Sequence, residues 1–249
     1  MNLGRQRHFD ALWRRREPDA RRLGANERVS KAVELLPAGG RLLDVGCGAG
    51  MIATPLMEQG AEVHGVDVSA EAVRRASAAG VRATLLDLDR EALPYPDAFF
   101  DAVTALASLQ YVVDVGRALA ECHRVLRPGG SFLAAVPNVR AAWRVWRLAV
   151  EGIPPRTSLD ELGCDGGTLH YFTVRSAREL LAEAGFEVLR VHALFCQPRM
   201  ARALPDGGPL GTIKRDLLAA EVLLEARRPG ESEPTAPPAP PRPPDGARG

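Results

Sequence analysis

The chain has 249 residues, 46% of them hydrophobic and 25% charged, with a net charge of +1. That length suits one sizeable α/β domain, and the near-neutral balance gives no basis for a nucleic-acid or anionic-membrane partner. No apolar run approaches a membrane span, no apolar leader opens the chain, and Cys47, Cys122, Cys164 and Cys196 form no C-x-x-C pair, so the expectation is a cytoplasmic protein with reduced thiols and no metal site.

Residues 1–36 read as a helical extension. Its opening, "MNLGRQRHFDALWRRREPDARR", is Arg-rich, but acids and the apolar anchors Phe9, Leu12 and Trp13 interrupt the basic residues. It therefore reads as a solvated amphipathic helix rather than an arm over a site or on a polyanion. A second helix near "ANERVSKAVELLPAGG" stops at Gly39 and Gly40. From residue 41 short apolar runs alternate with helical stretches. "RLLDVG" predicts a buried strand and "AGMIATPLMEQG" a helix that Pro55 should kink or shorten. "AEVHGVDV" is the next strand, and Ser69 caps the helix "SAEAVRRASAAG". The strands "VRATLLDL" and "FDAVTALAS" lead to the helix "VGRALAECHRVLRPGG", stopped by Pro128, Gly129 and Gly130, and then to the strand "SFLAAVPN". This alternation predicts a Rossmann-like, doubly wound α/β fold, a parallel sheet with helices on both faces.

An inserted helix and loop occupy about 138–172, beginning with "VRAAWRVWRLAVEG". "TVRSARELLAEAG" is a helix that Thr173 can cap, and "FEVLRVHALF" a strand. "LLAAEVLLEARRP" reads as the last strand, although its composition also suits a helix. The domain thus spans 37–228. Residues 229–249 form a Pro-rich tail that cannot bury a core and is expected to be disordered.

The stretch "RLLDVGCGAG" carries the chemistry. A strand turning sharply into a helix leaves free N–H groups at the helix start, and glycines let a ligand approach them. The spacing Gly46, Gly48, Gly50 is G-x-G-x-G, with Met51 where a dinucleotide fingerprint has its third glycine. Asp44 sits poorly beside a pyrophosphate and well beside a cation. Asp67, 23 residues later at the end of the second strand, is placed to accept both hydroxyls of a ribose, a feature that would also fit NAD. Asp87, at the end of the third, lies within reach of an adenine amino group.

With these residues the sequence resembles the class I S-adenosylmethionine-dependent methyltransferases. The motifs are "LLDVGCGAG", "VHGVDVS", "LLDLDREALPYPDAFFDAV", "CHRVLRPGGSFLAAVPN" and "LHYFTVRSARELLAEAGFEV", in the family's order over roughly residues 40–195. The resemblance implies a seven-stranded sheet whose last strand is antiparallel. It implies that Asp44, Gly46, Cys47, Gly48 and Gly50 line the methionine end. By the same resemblance Asp67 with Val68 holds the ribose, Asp87 with Leu88 holds the adenine, and Ala105 belongs to the cofactor-binding set. S-adenosylmethionine is then the cofactor, S-adenosylhomocysteine the product, and a small-molecule O or N acceptor the substrate. The run "PNVRAAWRVWRLAVEGIPPRT" followed by "HYFT" is similar to the subset typified by the methionine-biosynthesis protein MetW. That likeness also allows a non-catalytic protein acting by binding another enzyme. A nicotinamide oxidoreductase is a third class, against which Asp44 and the missing third glycine count. Methylation of RNA or protein has no basic stripe or added recognition domain behind it.

A hydroxyl acceptor benefits from a general base, and His170, in the loop after the inserted helix, is the candidate; packing or capping is the competing role. Tyr111, after the fourth strand, either lines the site or packs, and Gln110 is similar. Trp143 and Trp146, three apart on one helical face, read as core, and Arg140, Arg144 and Arg147 as a solvated face. His64, His123 and His192 read as structural, His8 has no fixed place, and Cys47 reads as a small residue that fits its turn. Acceptor specificity is expected in segments 1–35, 105–115 and 138–172. Oligomeric state is not legible.

Overall fold

The computed structural model describes residues 3–15, 27–154, 168–197 and 202–230. Two helices, α1 (Leu3–Arg15) and α2 (Glu27–Leu35), precede the sheet. The alternating core follows as β1 (Arg41–Val45), α3 (Ala53–Glu58), β2 (Glu62–Asp67), α4 (Ala70–Ala78), β3 (Arg82–Leu85), β4 (Phe100–Leu106), α5 (Val115–Val125) and β5 (Leu126–Pro137). The last part runs α6 (Ala142–Trp146), α7 (Val174–Glu183), β6 (Glu187–Leu194), α8 (Gly208–Ile213) and β7 (Glu221–Arg227).

The seven strands form one sheet in the order β3-β2-β1-β4-β5-β7-β6. β1 to β5 are parallel, and β7 runs antiparallel to both β5 and β6. The period of two along each strand divides the core between the faces. Leu43, Val45, Val103, Phe132, Ala134 and Val136 pack on one side with residues of α5 and α7. Leu42, Ala102, Leu133 and Ala135 pack on the other with residues of α2, α3 and α4. Both faces are thus covered, as a parallel sheet requires.

One detail follows the sequence reading, a helix shortened at Pro55, and two depart from it. The helix around Pro55 begins only at Ala53, so the proline falls in its first turn, where its missing N–H has no intrahelical partner to lose. β5 begins at Leu126, ahead of the Pro128-Gly129-Gly130 stop, and α5 ends at Val125. The carbonyls at this junction are satisfied from far along the chain. The Arg228 guanidinium donates to the backbone oxygens of His123, Arg124 and Leu126, and Gly129 and Gly130 exchange backbone bonds with Arg228. Third, α6 holds no buried residue and runs into a π turn, Arg147–Glu151, that Gly152 ends in the left-handed region. Trp146 is 63% exposed, so the expected core packing of the Trp143–Trp146 pair does not hold.

The ambiguous last segment is a strand, preceded by α8 and a second π turn, Lys214–Leu218, that periodicity did not show. Buried Lys214 organises this stretch by donating to the carbonyls of Arg202 and Leu204 and to Asp206. Among the described residues no helix is long and apolar enough to cross a membrane, and no group of three metal-ligating side chains comes together. Cys164, the residues of the inserted loop from 155 to 167, and the tail from 231 lie outside the described residues.

Candidate active site

The carboxyl edge of the sheet gathers the residues singled out above. Asp44 stands on β1 opposite Thr104 of β4, whose hydroxyl donates to its carboxylate at 2.8 Å. Asp44 is 5% exposed and Thr104 fully buried. Burial, and secondarily the nearby negative charge of Asp67, push the Asp44 carboxyl up from 3.8 to about 7, against the opposing pull of the Thr104 hydroxyl.

Asp67 ends β2 and is held from two sides. Gly48 N–H donates to one carboxylate oxygen at 2.9 Å and Ser69 N–H to the other at 2.9 Å. These bonds lower its carboxyl while burial, the larger effect, and the charge of Asp10 raise it, for a net rise. Each oxygen keeps lone pairs for further donors, which two vicinal hydroxyls would supply. Asp87, two residues beyond β3, is 1% exposed and turns its own chain: Asp89 N–H donates to its side chain, and Arg90 and Glu91 N–H to its carbonyl. Leu86 N–H donates to the Asp67 carbonyl, so the two strand ends are fastened side by side. Val68 and Leu88 are partly buried beside these acids.

The glycine loop is built differently from the bare donor cradle expected. Gly46 and Cys47 N–H both donate to the Val66 carbonyl, and Gly48 N–H goes to Asp67. These amides fix the loop onto β2 rather than pointing at a ligand. All three glycines have positive φ: 78° at Gly46, 53° at Gly48 and 79° at Gly50. A Cβ at Gly46 would overlap the Ser108 side chain, whose hydroxyl donates to the Val45 carbonyl at 2.6 Å.

Two members of the expected cofactor set face away from the edge. The Cys47 thiol is buried against bare Gly65, and burial raises its pKa well above the usual thiol range. Its backbone alone belongs to the loop. Ala105 is fully buried in the larger apolar cluster, with the strand period turning it away from Asp44 and Thr104. The residues at this end of β4 that sequence reasoning missed are Thr104 and Ser108; no local pattern marks them, because their roles come from β1 lying alongside.

Tyr111 and His170 are brought together. β4 runs into a 3-10 turn, Leu109–Tyr111, whose Gln110 carbonyl accepts the backbone N–H of both Leu169 and His170. The His170 ring nitrogen Nε2 lies 3.2 Å from the Val113 carbonyl. A carbonyl only accepts, so this contact places a proton on Nε2. Gln110 is 2% exposed, and its Oε1 has no hydrogen-bond partner among the described residues.

The largest correction concerns α1. Phe9, Leu12 and Trp13, spaced as one helical face, do not simply shield themselves in solvent. Phe9 meets Tyr111 edge to face at 5.2 Å, and the Trp13 ring lies so close to Gly48 that a Cβ there would stand 2.5 Å from it. Asp10 accepts Ser69 Oγ–H at 2.6 Å and Glu71 N–H at 3.2 Å. The arm covers the edge. The other histidines are structural as expected: His64 pairs with Glu62, His192 with Glu225 across β6–β7, and His123 stacks edge-on against Phe186. Arg144 departs from the expected solvated face: its Nη1 donates to the carbonyls of Asn138 and Ala220. Arg140 faces Asp216 at 3.6 Å and Arg147 pairs with Glu151.

Comparison with known proteins agrees with this fold. The family model described as "Methyltransferase domain" matches residues 43–134. A ubiquinone biosynthesis O-methyltransferase of Xanthomonas axonopodis pv. citri is 33% identical over 186 residues, covering 71% of this chain and 74% of the relative. A demethylmenaquinone methyltransferase of Thermus thermophilus is 40% identical over 127 residues, covering 49% of this chain and 52% of the relative. The chain spans about half the length of this and other curated relatives that it matches. Among solved structures, an S-adenosylmethionine-dependent methyltransferase from Mesorhizobium loti superposes with a TM-score of 0.58 at 25% identity, covering 83% of this chain and 100% of that one.

Proposed function

The chain belongs to the class I S-adenosylmethionine-dependent methyltransferases, and from that premise we propose that it methylates a hydroxyl group of a small molecule. The observation that carries the reading is the row of carboxylates at successive strand ends, Asp44, Asp67 and Asp87, set around a loop of left-handed glycines. The relatives named for O-methylation in quinone biosynthesis support an oxygen acceptor.

The residues present fit the cofactor. Asp44 would face its ammonium and sulfonium, a role suited to a buried carboxyl that a positive charge would ionise. Asp67, already aimed by Gly48 and Ser69, would accept the ribose hydroxyls. Asp87 and Leu88 would border the adenine. When bound, the cofactor supplies a methyl group already activated for displacement, so the protein's main task is alignment.

We assign the remaining task to His170. Its backbone is tied to Gln110 and its Nε2–H to Val113, which in the neutral ring leaves Nδ1 to take the acceptor proton. Tyr111, on the same turn, would border the acceptor. The first experiment is thermal denaturation with S-adenosylmethionine, S-adenosylhomocysteine or NAD added separately. A rise in melting temperature with the two adenosyl ligands alone is expected, because a ligand that binds only the folded state stabilises it. No rise with either would overturn the reading. In the acceptor assay that follows, His170→Asn should lower kcat about 100-fold or more with S-adenosylhomocysteine affinity unchanged.

A further inference from the structure

We propose that α1 completes the cofactor site, with Trp13 walling its methionine end and Asp10 holding that wall shut. This rests on the cofactor reading above.

Helix α1 meets the three junctions that a ligand at this edge must lie between. Trp13 covers Gly48 in the loop after β1. Asp10 binds Ser69 and Glu71 at the start of α4, after β2. Phe9 meets Tyr111 in the turn after β4. A helix joined to only one of these could be a bystander, but the three follow the adjacent strands β2, β1 and β4. A single helix spanning them lies across the mouth of the site.

The contacts have different chemistry. Gly48 has no side chain and φ of +53°, so the indole approaches the backbone more closely than any other residue type would allow. An indole face at the methionine end would also meet the sulfonium and ammonium favourably, since the face of an aromatic ring is negative. Asp10 is a fastening. Ser69 caps α4 through Ala72 N–H, and the same hydroxyl donates its proton to Asp10. Asp10 therefore latches α1 onto the residue next but one to Asp67, the ribose acceptor. Asp10 is a positioning residue and Trp13 a binding residue, and neither carries a sequence motif.

Two consequences follow. A cofactor under α1 leaves only when the latch between Asp10 and Ser69 opens. And Trp13 must sense the ligand directly.

Both are tested on the full chain: release of tritium-labelled S-adenosylhomocysteine is timed by rapid filtration for the parent and every variant, and Trp13 emission is read in a Trp143→Phe/Trp146→Phe protein that keeps Trp13. S-Adenosylhomocysteine should change the Trp13 emission. Trp13→Ala and Asp10→Ala should release it at least tenfold faster, while Trp13→Phe and Asp10→Asn, which keep a ring and an acceptor oxygen, stay within threefold of the parent. The ligand-free melting temperatures of the variants should match the parent's, which separates a wall from a merely structural helix. If the parent binds S-adenosylhomocysteine but both alanine variants release it at the parent's rate, or emission is unchanged, the inference falls and the cofactor reading stands. If the parent does not bind at all, both fall.

Discussion

The edge over β1 and β2 and the insertion around α6 are built on opposite terms. At the first, buried or partly buried acids, bare glycines and backbone amides are tied into one another: Asp44 to Thr104, Asp67 to Gly48 and Ser69, Gly46 to Val66. At the second, α6 buries nothing, and Val145, Trp146, Leu148 and Val150 stand at least half exposed. The insertion is nonetheless anchored at its root. Buried Asn138 places Nδ2 within 3.0–3.1 Å of the carbonyls of Arg215, Asp216 and Ala219, and Arg144 clasps two more carbonyls. On the proposed reading, the first region would hold a fixed ligand by over-determined geometry, and the second would offer exposed side chains on a fixed stem. A protein whose cofactor is constant and whose acceptor is particular to it would be divided in this way.

The sharpest way to break this comparison is Asp67→Ala. Losing two charge-assisted bonds to a ribose should weaken S-adenosylhomocysteine binding about 100-fold, equivalent to about 3 kcal/mol, measured by calorimetry. Unchanged binding would remove Asp67 from the site. A second test uses pH. Because the Asp44 carboxyl is raised from 3.8 to about 7, the folded protein without ligand holds a proton that the unfolded chain has lost, and its stability falls as pH rises through that window. A cationic ligand demands the ionised form, so affinity should run the other way, rising roughly tenfold from pH 6 to pH 8. Asp44→Asn should bind weakly and flatten the profile; a wild-type profile that is already flat would detach Asp44 from the ligand's charge.

Effects at the insertion should be smaller and should fall elsewhere. Arg144→Ala frees the carbonyls of Asn138 and Ala220 and should cost about 1–3 kcal/mol of stability, read as a lower melting temperature, with cofactor affinity preserved. Trp146→Ser should do least. An exposed side chain outside the core leaves stability within about 0.5 kcal/mol, so a large loss would mean that Trp146 is covered by something after all.

The same division explains what could be read in advance. β1, β2 and β4 are short apolar runs with both faces buried, and the residues between them are helical by period, so the sheet and its order of construction were visible in the residues themselves. Asp44, Asp67 and Asp87 were visible because each follows such a run. The misreadings came where distant segments decide. Pro128-Gly129-Gly130 looks like an ending, yet β5 passes through it because Arg228, about 100 residues away, satisfies the carbonyls there. The Trp143–Trp146 stripe has core spacing but projects from the sheet edge, where nothing in its own period says that no layer lies opposite. Phe9, Leu12 and Trp13 form an amphipathic face, and a face alone does not name what it covers; Gly48 and Tyr111 do.

The place of β7 carries a consequence for how the molecule comes into being. β7 lies between β5 and β6, although it follows both in the chain. During synthesis β6 therefore emerges ahead of its neighbour among the described residues, Glu221–Arg227, which is still to be made. The first five strands can assemble as they appear, but the nascent chain must hold a finished edge at β5 and a waiting strand at β6 until its last strand slots between them. That interval, with unpaired backbone on both, is when the chain is most open to pairing with the wrong partner.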